Sequence, residues 1–178
     1  QIVLYEALGF KLPTFGHISL ILGKDRTKMS KRHGATSVEQ CRKLGYLPEA
    51  IVNFLALLGW APDSEQEIFS TEELINLFSM DRVAKNPAVF DIDKLNWLNS
   101  NYIKNAEAAL ILELALPHLV EAGYITADVD TATKNDLIKF VDIIKEHLSY
   151  AAQVVEHVDV YFNEDFDFEN DDAKVMML

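Results

Sequence analysis

Residues 24–34 concentrate the side chains of this sequence that are best suited to phosphate chemistry. The segment carries five Lys and Arg side chains together with Ser30 and Gly34, and it directly follows the apolar run 18–22. A strand that delivers a short cationic loop is how α/β enzymes bring positive charge to the phosphates of a nucleotide. Lysine suits this task because its ammonium is a point charge on a flexible stem. The alternative is a basic turn that is only solvated, as most lysine-rich loops are.

The order of residues in this loop favours the phosphate interpretation. Residues 28–32 read Lys-Met-Ser-Lys-Arg, which is similar to the signature loop of class I aminoacyl-tRNA synthetases, and 33–38 continue as in the glutamyl branch. Further blocks that resemble this family lie at 1–9, 13–17, 45–50, 53–60, 87–91 and 94–99. Because the blocks follow one another in the family's order, the first part of the chain resembles a bacterial-type glutamyl-tRNA synthetase. Beyond about Asn105 only a general helical pattern remains.

The resemblance implies an enzyme that joins L-glutamate to tRNA(Glu) through a glutamyl adenylate, with ATP as substrate and Mg2+ as cofactor. Adenylate formation brings two anions together, so catalysis consists mostly of positioning and charge stabilisation. Carried over to this sequence, the catalytic residues are Lys28 and Lys31, and the ATP-binding residues are Lys28, Met29, Ser30, Lys31 and Arg32. Lys31 is expected to reach the phosphates with support from Lys28, and Met29 is expected to pack the loop against the nucleotide pocket.

The same resemblance implies a mainly α fold in three parts. Residues 1–36 correspond to the end of a Rossmann-type α/β catalytic domain with the signature loop, 37–85 to the stem-contact fold, and 86–178 to the first part of an α-helical bundle that binds the anticodon. The family's other signature, His-x-Gly-His, is not found in this sequence, which begins at Gln1 within a helical pattern. We therefore expect a fragment of a longer, monomeric enzyme, catalytically incomplete by itself.

Local signals predict the elements around the loop. The apolar spacing of 1–10 indicates a helix, and 15–22 are apolar enough for a buried strand. A short helix over 38–44 is expected to end at Gly45. Pro48 suits the first turn of the next helix, because the N–H that proline lacks is unpaired at that position.

The remainder of the chain is predicted to be helical. Ser70 and Glu73 form a capping-box pattern, and Asp91 can cap the helix that follows it. A further helix is expected to start at Asn105 and to be kinked or broken at Pro117. The cleanest amphipathic stripe consists of Leu137, Phe140, Val141, Ile144 and Leu148.

Charge is distributed unevenly along the 178 residues. The net charge is −12, yet residues 1–50 carry eight Lys and Arg against four Asp and Glu, whereas 51–178 carry eight against twenty-four. The basic end is the one that contains the loop, and an acidic surface elsewhere limits non-specific docking of nucleic acid. The acidic stretch 163–172 is either an exposed arm or the start of a further helix.

Cysteine usage and hydropathy narrow the class of protein. The single cysteine, Cys41, excludes a disulfide framework within the chain and fits a reducing cytoplasm. It has no Cys or His partner at a ligand spacing, so no metal site is predicted. No apolar run approaches the roughly 20 residues that a bilayer span needs, so no membrane partner is expected.

The scarce cations of the helical part are candidates for contacts with tRNA phosphates. They are Arg82, Lys85, Lys94 and Lys104. Each is alternatively an ordinary surface charge. Trp97 and Tyr102 can stack on unpaired bases, although their helical spacing is more typical of core residues. The carboxylates of Asp128 and Asp130 are interpreted as a solvated pair.

Other functions remain as alternatives. A glutaminyl-type synthetase should continue into β-barrels, which the helical pattern of 91–158 disfavours, and the same region disfavours a tRNA-modifying paralogue without an anticodon domain. A non-catalytic tRNA-binding module is compatible with the fragment interpretation. An unrelated nucleotide-dependent transferase would require all the blocks after the loop to be accidental.

Overall fold

The computed structural model describes residues 1–30 and 37–162, and its framework is helical. The described α-helices are α1 (Ile2–Ala7), α2 (Val38–Leu44), α3 (Pro48–Leu57), α4 (Thr71–Leu77), α5 (Ile92–Asn105), α6 (Ala108–Glu121), α7 (Thr131–Ile144), α8 (Val154–His157) and α9 (Asp159–Phe162). Two strands, β1 (Ile21–Leu22) and β2 (Ala88–Val89), pair in parallel, and 3-10 turns lie at Met80–Arg82, Lys145–His147 and Ala151–Gln153. The expectation of a helix-rich fold is confirmed. None of the described helices is long and apolar enough to cross a membrane.

The strand predicted over 15–22 forms only at its end. Ile21 pairs with Ala88 in the parallel ladder, and the adjacent residue of each strand completes it. Upstream, the side chains of Ile18 and Leu20 are 76% and 60% exposed. The prediction of a buried strand is therefore wrong before residue 21, because β2 offers a pairing partner to two residues only and no described element covers the rest.

Local signals set both ends of α2 and the start of α3. The Ser37 hydroxyl accepts a hydrogen bond from the Gln40 backbone N–H at 3.2 Å, and the Gln40 side chain accepts one from the Ser37 N–H in return. Gly45 closes α2 in the left-handed conformation, and Pro48 lies in the first turn of α3. The predicted end of α2 at Gly45 and the predicted position of Pro48 are confirmed, because each depends on neighbouring residues alone.

The predicted caps of α4 and α5 are also present. Ser70 and Glu73 form a reciprocal capping box. The Ser70 hydroxyl accepts a hydrogen bond from the Glu73 N–H at 3.1 Å, and the Glu73 carboxylate accepts one from the Ser70 N–H at 2.7 Å. The Asp91 carboxylate accepts a hydrogen bond from the Asp93 N–H at 3.0 Å and so caps α5. The apolar face of α5 is then buried at Leu95, Leu98 and Ile103.

The boundary between α5 and α6 differs from the prediction. Asn105 is the last residue of α5 rather than the first of a new helix, and α6 begins at Ala108. Pro117 lies inside α6, which continues to Glu121 without a break. Buried residues on both sides of this proline, Ala115 and Leu119, hold the helix against the core, so packing outweighs the lost backbone hydrogen bond.

Buried apolar side chains form two main clusters. The larger, here called the bundle core, comprises Leu47, Ala50, Ile103, Ala108, Ile111, Leu112, Ala115, Leu119, Leu137, Val141, Leu148, Ala151, Val154 and Val158. The second, here called the loop-side core, comprises Cys41, Tyr46, Phe54, Phe90, Leu95 and Leu98, with Ile21 and Met29 packed against it. α3 and α5 contribute to both clusters, so these two helices join the halves of the structure.

The amphipathic stripe predicted for α7 is confirmed. Its residues Leu137 and Val141 are fully buried in the bundle core, and Leu148 joins them after the 3-10 turn that ends the helix. The predicted helical continuation over 150–158 forms as a 3-10 turn followed by α8. The acidic stretch 163–172 lies outside the described residues.

Asn53 of α3 is a fully buried polar residue that the apolar pattern did not predict. Its side chain donates to the Glu67 carbonyl at 3.0 Å and accepts from the Phe69 N–H at 2.8 Å and the Tyr102 hydroxyl at 2.7 Å. A buried amide with three partners is well satisfied. It ties α3 to the segment before α4 and to α5.

Asn99 of α5 is the second fully buried asparagine. Its side chain accepts from the Leu47 N–H at 2.9 Å and donates to the Ser149 carbonyl at 2.6 Å. The two bonds reach the start of α3 and the segment before α8. A single side chain therefore connects three parts of the chain that are distant in sequence.

Gly45→Ala should destabilise the 178-residue chain more than Gly123→Ala. Both glycines have a positive φ, 78° and 83°, at which a Cβ costs about 1–2 kcal/mol. A Cβ at Gly45 would also lie 2.6 Å from the Cβ of Ala151, whereas nothing lies within 4 Å of one at Gly123. Overpacking adds about 1–3 kcal/mol, so urea unfolding should show a loss of roughly 2–5 kcal/mol for Gly45→Ala.

Gly123→Ala is the matched control, with an expected loss of only about 1–2 kcal/mol from its backbone conformation. Combining Gly45→Ala with Ala151→Gly should recover the steric part of the loss, since the clashing methyl group is then gone. Equal losses for the two single variants would contradict the close packing of Gly45 on Ala151.

Candidate functional site

β1 leads into a tight turn that forms the base of the basic loop. The Gly23 N–H donates to the Thr27 carbonyl, and the Arg26 N–H donates to the Gly23 carbonyl, both at 2.9 Å. Arg26 adopts a left-handed φ of 59°, which few residues other than glycine do. Leu22 and Lys28 then form an antiparallel bridge. The loop therefore runs back along β1 before it reaches the signature residues.

Side chains on both sides of the turn hold it in place. The Asp25 carboxylate accepts hydrogen bonds from the Thr27 N–H at 3.0 Å and from the Thr27 hydroxyl at 2.8 Å. The Met29 N–H donates to the Ile21 carbonyl at 3.2 Å, and the half-buried Met29 side chain packs against the loop-side core. Met29 thus anchors the loop to the protein core, and its contact with a nucleotide pocket stays a prediction.

Lys24 connects the loop to the first turn of α5. Its ammonium lies 3.0 Å from the Asp91 carboxylate and donates a hydrogen bond to Asp93. The Asp93 and Asp91 carboxylates raise the pKa of Lys24. In turn, the hydrogen bond from Lys24 holds the pKa of Asp91 below its ordinary value of 3.8. Because Asp91 also caps α5, one carboxylate serves both the helix and the loop.

The candidate phosphate ligands follow this base. Lys28 is exposed, and within the described ranges no residue forms an ion pair with it; Ser30 is exposed as well. Lys31 and Arg32 lie outside the described residues. The assignment of Lys28 and Lys31 as catalytic, and of residues 28–32 as ATP-binding, stays a prediction.

Two of the four candidate tRNA contacts are already engaged with protein oxygens. Arg82 donates to the Pro62 carbonyl at 2.7 Å and pairs with the Asp63 carboxylate. Lys94 pairs with Glu67. A phosphate would have to compete with these carboxylates, so both side chains first serve the protein's own packing.

The other two candidate cations, Lys85 and Lys104, are exposed. Neither Lys85 nor Lys104 forms an ion pair with any residue that the structure describes. Lys94 and Lys104 lie ten positions apart on α5, or roughly 15 Å along the helix axis. The four residues therefore do not converge on one phosphate, and their role in tRNA binding stays a prediction.

Of the aromatic and acidic candidates, Tyr102 packs inside the protein, Trp97 is exposed and Asp130 caps a helix. The Tyr102 hydroxyl donates to Asn53 and its ring is half-buried, so Tyr102 is a packing residue. Trp97 is 46% exposed, which leaves its ring accessible for stacking. Asp130 caps α7 by accepting from the Thr133 N–H at 3.0 Å, and the hydrogen bonds from Thr133 lower the pKa of this carboxyl group. Asp130 is exposed, as interpreted, and it serves in addition as the cap of α7.

Metal-ligating side chains do not cluster in residues 1–30 and 37–162, where no three His, Cys, Asp or Glu residues could hold an ion together. Cys41 is buried in the loop-side core, and desolvation raises the pKa of its thiol. Its environment is that of a packing residue.

Sequence reasoning missed the contacts that hold the loop. Lys24 reads as one of several basic residues, and its partner Asp93 lies 69 positions away. The sequence carries only an indirect signal of this contact. Asp91 and Asp93 follow the apolar run 87–90, just as Lys24 follows the apolar run 18–22. Parallel pairing of the two runs brings the charged residues at their ends together.

A comparison with known families matches residues 1–97 to the model described as tRNA synthetases class I (E and Q), catalytic domain. The chain is 56% identical over 174 residues to the glutamate–tRNA ligase of Desulforamulus reducens, and 55% identical over 177 residues to that of Carboxydothermus hydrogenoformans. These alignments cover 98% and 99% of this chain but 36% and 37% of the relatives. The chain thus spans little more than a third of their length.

Two solved structures share the fold. The crystal structure of the glutamate–tRNA synthetase from Elizabethkingia anophelis has a TM-score of 0.76 at 29% identity, covering 98% of this chain and 38% of that one. A glutamate tRNA ligase from Elizabethkingia meningosepticum, in complex with its amino acid, has a TM-score of 0.71 at 29% identity, covering 99% and 39%. The arrangement of helices described above therefore recurs in a part of both proteins.

Asp91→Asn should reduce stability at neutral pH and have no effect in strong acid. Asparagine can still cap α5, but it loses the charge that pairs with Lys24. Because the native pKa of Asp91 is lowered, its stabilisation is complete above the ordinary carboxyl value of 3.8 and disappears as the pH falls through the lower native value. Urea unfolding should show a loss of about 0.5–1 kcal/mol near pH 6, as for an exposed pair.

The control for this prediction is the same substitution in a Lys24→Met background. Without the ammonium, Asp91→Asn should have a smaller effect, and that effect should depend less on pH. A stability difference between the wild type and the Asp91→Asn variant that stays constant from pH 7 down to about pH 2.5 would contradict the assigned linkage.

Proposed function

Because this chain belongs to the class I tRNA synthetases for glutamate and glutamine, we propose that it is part of a glutamate–tRNA ligase. The complete enzyme would join L-glutamate to tRNA(Glu) through a glutamyl adenylate, with ATP as substrate. The observation that carries this proposal is the 55–56% identity to two glutamate–tRNA ligases over 98–99% of the chain. Residues 28–32 lie within that alignment and within the matched catalytic domain.

The proposed chemistry needs cations that act where charge develops. The glutamate carboxylate attacks the α-phosphorus of ATP, and the bond to pyrophosphate breaks. Negative charge moves onto the leaving phosphates, so a preorganised ammonium stabilises the transition state more than the ground state. Lys31 would make that contact, with Lys28 in support. The exposed ammonium of Lys28 fits a phosphate-binding role.

ATP and Mg2+ enter this proposal in different ways. Lys28 and Ser30, at the exposed end of the loop base, are of the type that binds phosphate oxygens. In contrast, the described residues offer no cluster of metal ligands. The magnesium ion would neutralise charge on the triphosphate, and its ligands from this chain are not assigned.

The proposed organisation has three parts. Residues 1–36 would end the catalytic domain, 37–85 would form the stem-contact fold, and 86–178 would begin the helical anticodon-binding region. The tRNA contacts proposed within it are Arg82, Lys85, Lys94 and Lys104. The parent enzyme would be a cytoplasmic monomer. The successive helices α5 (92–105), α6 (108–121) and α7 (131–144) favour the glutamyl over the glutaminyl type, which would continue into β-barrels.

The 178-residue chain by itself should fold but form no adenylate. Its described sheet has only two strands of two residues each, too little to build a nucleotide-binding domain. Glutamate-dependent ATP–pyrophosphate exchange, assayed with tRNA present, should stay at background, while circular dichroism shows a helical fold. Exchange near the rate of a complete ligase would refute the fragment interpretation. Retention of tRNA without exchange would instead identify a binding module.

Lys31→Ala in the complete ligase should lower the rate of adenylate formation by roughly two to three decades. Removing one preorganised donor from a transition state costs about 3–4 kcal/mol. Lys31→Arg should rescue only part of the rate, because a planar guanidinium replaces a flexible ammonium. Rapid-quench measurement of the adenylate at saturating ATP is the test.

Lys139→Ala is the control for this experiment. Lys139 is exposed and pairs with Asp136 on the same helix, so its loss should change the barrier by less than about 0.5 kcal/mol. If Lys31→Ala keeps more than about a third of the wild-type rate, which is under 1 kcal/mol of barrier, Lys31 is not the phosphate contact and Lys28 takes its place.

A further inference from the structure

The base of the basic loop is tied to the start of α5 by side chains and by backbone. The Lys24 ammonium lies 3.0 Å from the Asp91 carboxylate and is hydrogen-bonded to Asp93. Beside this ion pair, the Phe90 N–H donates to the Leu22 carbonyl at 2.8 Å. The loop and the helix therefore meet at one junction, although almost seventy residues separate them in sequence.

The same junction determines where Lys28 lies. Lys28 forms a bridge with Leu22, and the Leu22 carbonyl accepts a hydrogen bond from the Phe90 N–H. In the same way, the Met29 N–H donates to Ile21, which pairs with Ala88 of β2. β1 is thus sandwiched between β2 and the returning arm of the loop. A change in how β1 sits against residues 88–93 moves Lys28 with it.

Lys24 differs from Lys139 in what its ion pair joins. Lys139, for example, pairs with Asp136 within α7, an arrangement that links two positions of one helix. Lys24 bridges two segments that are otherwise joined by a two-residue ladder, by Ile21 and Met29 in the loop-side core, and by the Ser19 hydroxyl, which donates to the Lys85 carbonyl at 2.7 Å. An exposed ion pair contributes little to overall stability, but it can select one position of a short loop.

We propose that Lys24 is a positioning residue, which holds the loop base against the first turn of α5 through Asp91 and Asp93 and thereby places Lys28 for phosphate contact. This role rests on the proposed function. The Lys24 ammonium is already paired with two carboxylates, so it acts through Lys28 and not on the phosphates. Its loss should lower kcat and leave glutamate binding unchanged.

The test uses Lys24→Met in the complete ligase, because methionine keeps the apolar stem and removes the ammonium. The kcat of glutamate-dependent ATP–pyrophosphate exchange should fall about three- to fivefold. That is the change in rate expected if the barrier rises by the free energy of an exposed ion pair. KM for glutamate should stay within about twofold. Lys24→Arg should retain the wild-type rate, since the charge is kept. Adding Asp93→Asn to Lys24→Met should cause no further loss, because both changes remove the same pair.

Lys139→Met is the matched control, which removes one lysine from an exposed pair and should leave kcat unchanged. Raising the salt concentration from about 0.05 M to 0.5 M should narrow the difference between wild type and Lys24→Met, because salt screens the pair. A Lys24→Met enzyme with the kcat of Lys139→Met, or a Lys24→Arg enzyme as impaired as Lys24→Met, would overturn the positioning role.

Amide hydrogen exchange in the 178-residue chain provides a readout that needs no activity. The N–H groups of Phe90 and Met29 should exchange faster in Lys24→Met than in wild type, and at the wild-type rate in Lys139→Met. Unchanged exchange in Lys24→Met would overturn the proposal even if kcat fell. A complete wild-type ligase without glutamate-dependent exchange would refute the proposed function, whereas faster amide exchange in Lys24→Met would still establish the tie between loop and helix.

Discussion

The packing of α3 against α5 depends on two buried amide side chains that are fully hydrogen-bonded. A buried amide without partners costs about 1–3 kcal/mol or more, yet Asn99 lies at a position with no exposed surface. It is satisfied because it meets the Leu47 N–H at the start of α3 and the Ser149 carbonyl before α8. Leu47 is the N-cap of α3 and has no side-chain acceptor of its own. The N–H of an N-cap residue is the group that a Glu or Gln at the third helical position bonds in a capping box, and because Ala50 occupies that position, Asn99 of α5 supplies the acceptor.

This constraint makes α5 the element that connects the two ends of the structure. Its middle is held by Asn99 and its C-terminal half by Ile103 in the bundle core. Its first turn carries Asp91 and Asp93, which bind Lys24 at the base of the basic loop. The loop is thus attached to a helix whose position the core determines, rather than to another surface loop. The loop-side core links the loop to α5 through α3.

The parts of the fold that could be predicted from sequence are those set by neighbouring residues. Ser70 and Asp91 cap their helices, and Gly45 ends α2, because each signal acts within one turn of chain. The parts that could not be predicted depend on distant partners. The strand expected over 15–22 needs a neighbour that only two residues of β2 supply. The break expected at Pro117 does not occur because the bundle core holds α6 on both sides of it.

The candidate site, too, could be predicted only in part. The order of its residues indicates its chemistry, but contacts with distant residues determine which of its cations are already paired with carboxylates. The motif at 28–32 predicts phosphate binding, but the number of cations in a sequence overstates how many can meet a phosphate. Lys24, Arg82 and Lys94 are each paired with carboxylates of this chain, so an incoming anion must compete with those carboxylates. Lys28, four residues beyond Lys24, is exposed and outside these pairs. In a chain with a net charge of −12, Lys24 is held in ion pairs with Asp91 and Asp93, whereas Lys28 has no ion-pair partner among the described residues.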